Sequence, residues 1–180
     1  MLEIRIHGRG GQGAQVGCQI LAAAFFRAGR EVQAFAAYGG ERRGAPVTAF
    51  VRVDDRPIRL RCDVERADHA LVLDPTLLTE IRPGSLRDDG LVVVNSPVPP
   101  CGFHPLGARV RAVDAGGIAE QVGLGPIVST AILGGFAGAT GLVSLADLLA
   151  AVEEGSPLKK SENARACALA YREMAGGAAG

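Results

Sequence analysis

Tryptophan is absent from this sequence of 180 residues, and aromatic residues make up only 4% of it. The core must therefore be built from small and branched aliphatic side chains, which lets helices pack close to a sheet and favours layered α/β packing. Hydrophobic residues account for 48% of the chain, enough to bury a substantial core. We expect one domain over residues 1–180, with a tail at 175–180 that frays.

Paired metal ligands are also missing. No Cys-x-x-Cys pair occurs, and no cysteine stands at a ligand spacing from a histidine. The sequence therefore predicts no metal site and no iron–sulfur cluster held by this chain. The cysteines stand singly at Cys18, Cys62, Cys101 and Cys167. Cys18 and Cys167 fall in helical patterns, and we expect them to be core thiols.

Motifs for covalent or redox catalysis are absent too. The chain contains no Gly-x-Ser-x-Gly, His-Glu-x-x-His or P-loop motif. The three histidines, His7, His69 and His104, have no partner at a triad or metal spacing. For His7, a structural role is favoured over a contact to a ligand. We predict no catalytic residue in this chain.

Long apolar runs and a signal peptide are lacking as well, so we expect a cytoplasmic protein without a membrane span. Charge is uneven along the chain: eleven arginines face seven acidic residues up to Arg66, and eight basic residues face twelve acidic ones beyond it. The basic front favours an anionic ligand or an acidic partner. No basic run is interleaved with aromatic residues, which argues against nucleic-acid binding.

What the chain has in abundance is glycine, concentrated in His-Gly-Arg-Gly-Gly-Gln-Gly at 7–13. The stretch follows an alternating apolar strand pattern at 2–6 and precedes helical spacing over 16–25, so it predicts a tight strand-to-helix turn. Free N–H groups and the positive dipole end of the helix suit this turn to an anion or to another chain.

A Rossmann-like doubly wound α/β fold is the architecture that this pattern predicts. Residues 32–38 are expected to be the second strand of a βαβ unit, and 70–73 and 91–94 read as buried parallel strands. Residues 47–53 and 58–60 predict a β-hairpin insertion, and 109–113 an edge strand. The C-terminal part is expected to be helical, with segments at 116–122, 127–139, from 144 and over 157–174.

Polar residues follow the carboxyl ends of the two predicted parallel strands, where open α/β sheets bind their ligands. These candidates for the rim of a site are Asp74, Thr76, Asn95 and Ser96. In the charged loop at 39–46, Arg42 and Arg43 could join Arg9 and Gln12 in an anion site, because guanidinium groups match phosphate and carboxylate oxygens. Solvated arginines paired with Glu41 are the alternative.

Gly8, Gly10 and Gly13 also satisfy the Gly-x-Gly-x-x-Gly spacing of dinucleotide sites. Such sites need an acidic residue about 20 positions further on to bind the ribose, and Gln33 stands there instead. Close packing of helix on strand is therefore a simpler explanation than ordinary NAD binding.

Two signatures together carry a family resemblance: residues 7–13, and Gly-Glu-Arg-Arg-Gly-Ala-Pro-Val at 40–47. The pair closely resembles the gamma subunit, or gamma domain, of the 2-oxoacid:acceptor oxidoreductases, the pyruvate:ferredoxin oxidoreductase family. Residues 72–78 and 132–145 are similar to later segments of that family.

The resemblance implies a complex that oxidatively decarboxylates a 2-oxoacid to acyl-CoA and carbon dioxide, with ferredoxin or NAD as acceptor. Thiamine diphosphate, magnesium and iron–sulfur clusters are then expected on alpha, beta and ferredoxin-like partner subunits. For this chain it implies an assembly role and a possible coenzyme A neighbourhood at Gly8, Arg9, Gly10, Gly11, Gln12, Gly13 and Arg42. It also implies a subunit interface at Glu41, Arg42 and Arg43. The alternatives are a stand-alone NAD(P)-binding enzyme or regulator, and a scaffold without a ligand.

Overall fold

The chain folds around a mixed six-stranded sheet with the strand order β2-β3-β1-β4-β5-β6. The computed structural model describes residues 1–38, 44–82, 84–98 and 109–176. The strands are β1 (Leu2–Arg9), β2 (Glu31–Tyr38), β3 (Pro46–Asp54), β4 (Ala67–Val72), β5 (Leu86–Asn95) and β6 (Arg109–Val113). The helices are α1 (Ala14–Arg27), α2 (Ala115–Val122), α3 (Ser129–Thr140), α4 (Leu145–Gly155) and α5 (Lys160–Gly176), with a 3₁₀ helix at Pro75–Glu80. The predicted α/β class and helical C-terminal part are confirmed.

The predicted second strand, β2, does not lie beside β1 as a βαβ unit requires. β3 pairs antiparallel with both β1 and β2, whereas β1, β4, β5 and β6 are parallel. The expected βαβ unit is therefore interrupted, because β3 lies between its two strands. Only residues 39–45 connect β2 to β3, which is too short for a parallel crossover but long enough for an antiparallel hairpin. The predicted return strand at 58–60 is wrong, since these residues are not in a strand.

The two faces of the sheet are covered differently. One face carries Ile4, Ile6, Val51, Leu71 and Val93 in a core that includes residues of all five α-helices. The other face carries a smaller core that contains no residue of these helices. Its sheet residues, among them Val72, Val92 and Val94, pack with Val64 and the 3₁₀ helix. The helices of the described part thus join one core, where double winding would place them on both sides.

A segment without regular secondary structure covers the part of that second face that β2, β3 and β1 form. Residues 55–66, which we call the strap, connect β3 to β4 and bury Val64 against the sheet. Alternate residues of each strand point to this face of the sheet. Among them, one side chain from each of β1, β2 and β3 contacts the strap. The strap occupies the position that a second layer of helices would take in a doubly wound fold.

Candidate functional site

The glycine turn joins β1 to α1 at the carboxyl end of β1. Gly11 has a φ of +100°, a backbone conformation that residues other than glycine rarely adopt. The Arg9 amide donates to Gln12 Oε1 at 2.8 Å, and the Gln12 amide donates to the Arg9 carbonyl at 3.0 Å. The Gly10 amide donates to the Ala45 carbonyl at 3.0 Å and ties the turn to the start of β3. Gln12 therefore shapes the turn, since its side-chain oxygen is bound to the backbone.

Arg9, the cation of this turn, is already paired. Its Nε lies 2.8 Å from Asp74 Oδ2, and its Nη2 donates to Thr76 Oγ1 at 2.9 Å. Burial opposes ionisation of Asp74, but hydrogen bonds from Thr76 and the Arg9 charge outweigh it and lower the Asp74 pKa. Two of the predicted rim residues thus meet Arg9 where the neighbouring strands β1 and β4 end. The pair leaves Arg9 with little unbalanced charge to offer a ligand.

Two glycines of the turn permit close packing. A Cβ at Gly8 would lie 2.9 Å from Leu73 Cδ1, and one at Gly13 would lie 2.7 Å from Ser129 Oγ. Gly13 is the N-cap of α1 and has a φ of +86°, while Ser129 is the first residue of α3. Because Gly13 has no side chain, the N-termini of these two helices can approach each other closely.

A cavity of about 430 Å³ opens beside the turn, lined by both helix N-termini. Within the described residues neither N-terminus has a side-chain cap or an acidic residue in its first turn. Apolar lining residues include Val16, Val47, Ile127 and Leu158. Polar lining residues include Ser129, Thr130, Ser156 and Asn163. Two uncapped N-termini favour an anion, and the apolar walls favour a ligand with an apolar part.

Some polar side chains that line this cavity have hydrogen-bond partners, and one does not. Thr130 Oγ1 donates to Asn163 Oδ1 at 2.9 Å, and the Asn163 amide donates to the carbonyls of Leu158 and Lys159. Ser156 is only 3% exposed, and its Oγ has no hydrogen-bond partner among the residues that the structure describes. A buried hydroxyl without a partner costs free energy, so a ligand that bonds to Ser156 would remove that cost.

His7 is buried immediately before the glycine turn. It is 6% exposed, and its Nε2 has no hydrogen-bond partner within the described part of the chain. Burial, with a smaller contribution from the charge of Arg5, lowers the His7 pKa to about 4. The imidazole is therefore neutral at pH 7.

We expect His7 to make the protein sensitive to acid. His7 binds a proton near pH 6.5 in the unfolded chain but only near pH 4 in the folded chain. Its neutral form therefore contributes to the free energy of unfolding above pH 6.5, and this contribution is lost as the pH falls towards 4. Between pH 7.5 and 5 the free energy of unfolding should fall by about 2 kcal/mol from this residue. Urea unfolding at both pH values measures it, and His7→Gln should flatten the difference. An unchanged difference in His7→Gln would assign the acid sensitivity to other groups.

The other predicted residues fall into three groups. Asn95 bridges β4 to α2, since its amide donates to the Leu73 carbonyl and its Oδ1 accepts from the Gly116 amide, both at 3.0 Å. His69 is structural: its Nδ1 accepts from the Leu91 amide, and burial lowers its pKa. Glu41, Arg42, Arg43, Cys101 and His104 lie outside the described residues.

The predicted core thiols are confirmed. Cys18 and Cys167 are 2% and 0% exposed. Burial raises their thiol pKa values to about 11 and about 12. Both therefore stay protonated and unreactive at neutral pH.

Sequence reasoning missed Ser129 and Ser156. Both lie more than 110 positions after the glycine turn, in segments predicted only as helix or helix start. The unpaired state of Ser156 follows from the packing of α4, α5 and the turn, for which a single sequence contains no signal.

The geometry also disfavours a dinucleotide site of the usual kind. β3 separates β2 from β1, so the residue at the ribose position does not stand on a neighbouring strand. Gln33 points to the strap: its Nε2 donates to the Leu60 carbonyl and its Oε1 accepts from Arg52.

The described residues contain neither a metal-ligand cluster nor a membrane-spanning helix. No three His, Cys, Asp or Glu side chains come together there as metal ligands. Across the same ranges, no helix combines the length and apolar composition that crossing a bilayer requires.

Comparison with known proteins gives consistent matches. The family model for pyruvate ferredoxin/flavodoxin oxidoreductase matches residues 3–173. The pyruvate synthase subunit PorC of Methanothermobacter thermautotrophicus is 47% identical over 176 residues, covering 97% of this chain and 96% of that protein. The pyruvate/ketoisovalerate oxidoreductases common subunit gamma of Thermococcus kodakarensis is 46% identical, covering 96% and 97% of the two chains.

Solved structures agree with these relatives. The crystal structure of the pyruvate oxidoreductase subunit PORC from Thermotoga maritima has a TM-score of 0.81 at 34% identity, with 95% of each chain covered. A 2-oxoglutarate:ferredoxin oxidoreductase from Magnetococcus marinus has a TM-score of 0.76 at 21% identity, with 98% of this chain and 31% of that chain covered, and shows the same fold. This chain therefore belongs to the pyruvate ferredoxin/flavodoxin oxidoreductase family, as a gamma-type subunit.

Proposed function

We propose that this chain completes a 2-oxoacid oxidoreductase by assembling with its other subunits and by enclosing coenzyme A beside the glycine turn. The complex would decarboxylate a 2-oxoacid to acyl-CoA and carbon dioxide and pass electrons to ferredoxin or NAD. Thiamine diphosphate, magnesium and the iron–sulfur clusters would belong to alpha, beta and ferredoxin-like subunits. The isolated chain is expected to have no activity, and its free thiols at Cys18, Cys62 and Cys167 suit a cytoplasmic location.

The cavity between the N-termini of α1 and α3 is the observation that carries the coenzyme A proposal. Coenzyme A combines phosphoryl groups with a long, weakly polar pantetheine arm. The uncapped N-termini suit the phosphoryl groups, and the apolar walls suit the arm. The structure of the Magnetococcus marinus enzyme was determined with coenzyme A and succinyl-CoA bound, which supports looking for this ligand here.

Ser156→Ala tests the proposal, because its two effects have opposite signs. Removing a buried, unpaired hydroxyl should stabilise the free chain by about 1 kcal/mol. In the assembled complex the same change should raise the KM for coenzyme A about tenfold, since the ligand loses one hydrogen bond. Urea unfolding of the chain and steady-state kinetics of the complex measure the two effects.

Ser161→Ala is the matched control, because Ser161 is exposed on α5 and its hydroxyl bonds to the neighbouring Glu162. It should change neither quantity. An unchanged KM for coenzyme A in Ser156→Ala, with assembly intact, would instead support a scaffold without a ligand.

A further inference from the structure

Residues 60–64 of the strap are held against the second face of the sheet by hydrogen bonds. Three of its alternate carbonyl groups accept hydrogen bonds, each from a side chain on a different one of the neighbouring strands β2, β3 and β1. The pairs are Gln33 to Leu60 at 2.9 Å, Arg52 to Cys62 at 2.7 Å and Arg5 to Val64. A backbone fixed at every second residue loses little further entropy when a partner binds to it.

Three cations project from the strap, and one of them, Arg61, lies within the hydrogen-bonded stretch at 60–64. Arg56, Arg59 and Arg61 are exposed, and their guanidinium groups have no ion pair or hydrogen bond to any residue that the structure describes. Several other guanidinium groups of the described residues are paired with carboxylates, as in Arg9–Asp74, Arg27–Glu154 and Arg66–Asp88.

Nearby carboxylates do not balance these cations. Asp54 binds the N-terminal ammonium group at 3.2 Å, and Asp55 binds Arg30 at 2.9 Å. Asp63 and Glu65, which are also exposed on the strap, form no ion pair among the described residues and offset part of this charge. Arg56, Arg59 and Arg61 outnumber these two carboxylates, so the strap presents a small local excess of positive charge.

The surface around the cations has the mixed character of a protein interface. Leu60 stands between Arg59 and Arg61 and is 42% exposed. Open clefts of about 330 and about 580 Å³ lie beside it, both lined by Gln33 and Arg61. β2 forms an edge of the sheet next to them. Arginine is enriched in protein interfaces, whereas surfaces that bind single-stranded nucleic acids add aromatic residues.

We propose that the strap is a docking surface for an acidic face of another subunit of the same complex, with Arg56, Arg59 and Arg61 as its cationic contacts. This inference rests on the proposed assembly role. Carboxylates of the partner complete the pairs that the strap lacks, and its side chains enter the clefts beside Leu60.

The test is charge reversal in the complete complex. The complex is purified through a tag on another subunit, and the amount of this chain retained is measured with wild type and with Arg56→Glu/Arg59→Glu/Arg61→Glu. The matched control, Lys160→Glu/Arg165→Glu/Arg172→Glu, makes the same change of net charge on exposed positions of α5. Urea unfolding of each free chain verifies that the variants fold.

The strap variant should lose retention about tenfold or more, and the control should be retained like wild type. Wild-type retention should also weaken as salt is raised from low to high concentration. Retention of the folded strap variant equal to that of the control would overturn the strap as a docking surface. Failure of the wild-type chain to purify with the other subunits would instead overturn the assembly role itself, and co-purified RNA lost with the strap charges would assign the surface to nucleic acid.

Discussion

Gly134→Ala will destabilise the protein by about 3 kcal/mol, because the added methyl group has no space. A Cβ at this position would lie 2.0 Å from the carbonyl oxygen of Cys167. One turn further along α3, a Cβ at Gly138 would lie 2.4 Å from the carbonyl oxygen of Tyr171. Both obstacles are backbone atoms of α5, so the two helices must move apart to admit either side chain. Urea unfolding of Gly134→Ala and Gly138→Ala measures the cost.

Gly116→Ala provides the matched control. Gly116 is also a helical glycine, in α2, but a Cβ there would meet only oxygens of Asn95 and Asp114 at 3.8 Å. Alanine should therefore stabilise this position by up to about 1 kcal/mol through its higher helix propensity. If Gly134→Ala is as stable as Gly116→Ala, the close contact between α3 and α5 is not required.

Arg52→Ala is expected to cost about 3–5 kcal/mol, as is typical when one partner of a buried ion pair is removed. Arg52 is 1% exposed, and its Nε lies 2.9 Å from Glu3 Oε1. Its other nitrogens donate to Gln33 Oε1 at 3.0 Å and to the Cys62 carbonyl, and the guanidinium lies over the Phe35 ring at 5.3 Å. Truncation leaves the Glu3 carboxylate unpaired and frees the strap. Urea unfolding measures the first effect, and trypsin cleavage within the strap measures the second.

Arg52→Met/Glu3→Gln separates charge from packing. This double variant removes both charges and keeps much of the buried volume, so it should be more stable than Arg52→Ala. Trypsin should still cleave its strap faster than that of the wild type. The exposed pair Arg66–Asp88 is the reference, and Arg66→Ala should cost less than about 1 kcal/mol. A loss in Arg52→Ala no larger than that in Arg66→Ala would contradict the buried role.

Local patterns were sufficient for most elements of the fold. β6 over 109–113, the Ser144 cap of α4 and the helix that begins after Gly13 follow from apolar periodicity, capping chemistry and glycine placement. The order of strands was not predictable in the same way. Placing β3 between β2 and β1 depends on the short connection at 39–45 and on pairing across the whole length of β1, which a window of sequence does not contain.

The candidate site was predictable in part. The two signatures identified the family, and the glycine turn lines the cavity in which we propose that coenzyme A binds. The pairing of Arg9 with Asp74 was not foreseen, although both residues had been singled out, because they are 65 positions apart. The predicted return strand at 58–60 was wrong for a similar reason: carbonyls of the strap bond to side chains of three strands, so the strap does not form the predicted hairpin.

The distance in sequence between Arg9 and Asp74 affects when this pair can form during folding. β2 and β3 are joined by a short connection, so their pairing closes a small loop at little entropic cost. β1 and β4 must instead bring together residues such as Ile4 and His69, and this pairing carries Arg9 to Asp74. Contacts of that range form late in chains that begin from local structure. We therefore expect the Arg9–Asp74 pair, and with it this end of the sheet, to be completed only after β2 and β3 have paired.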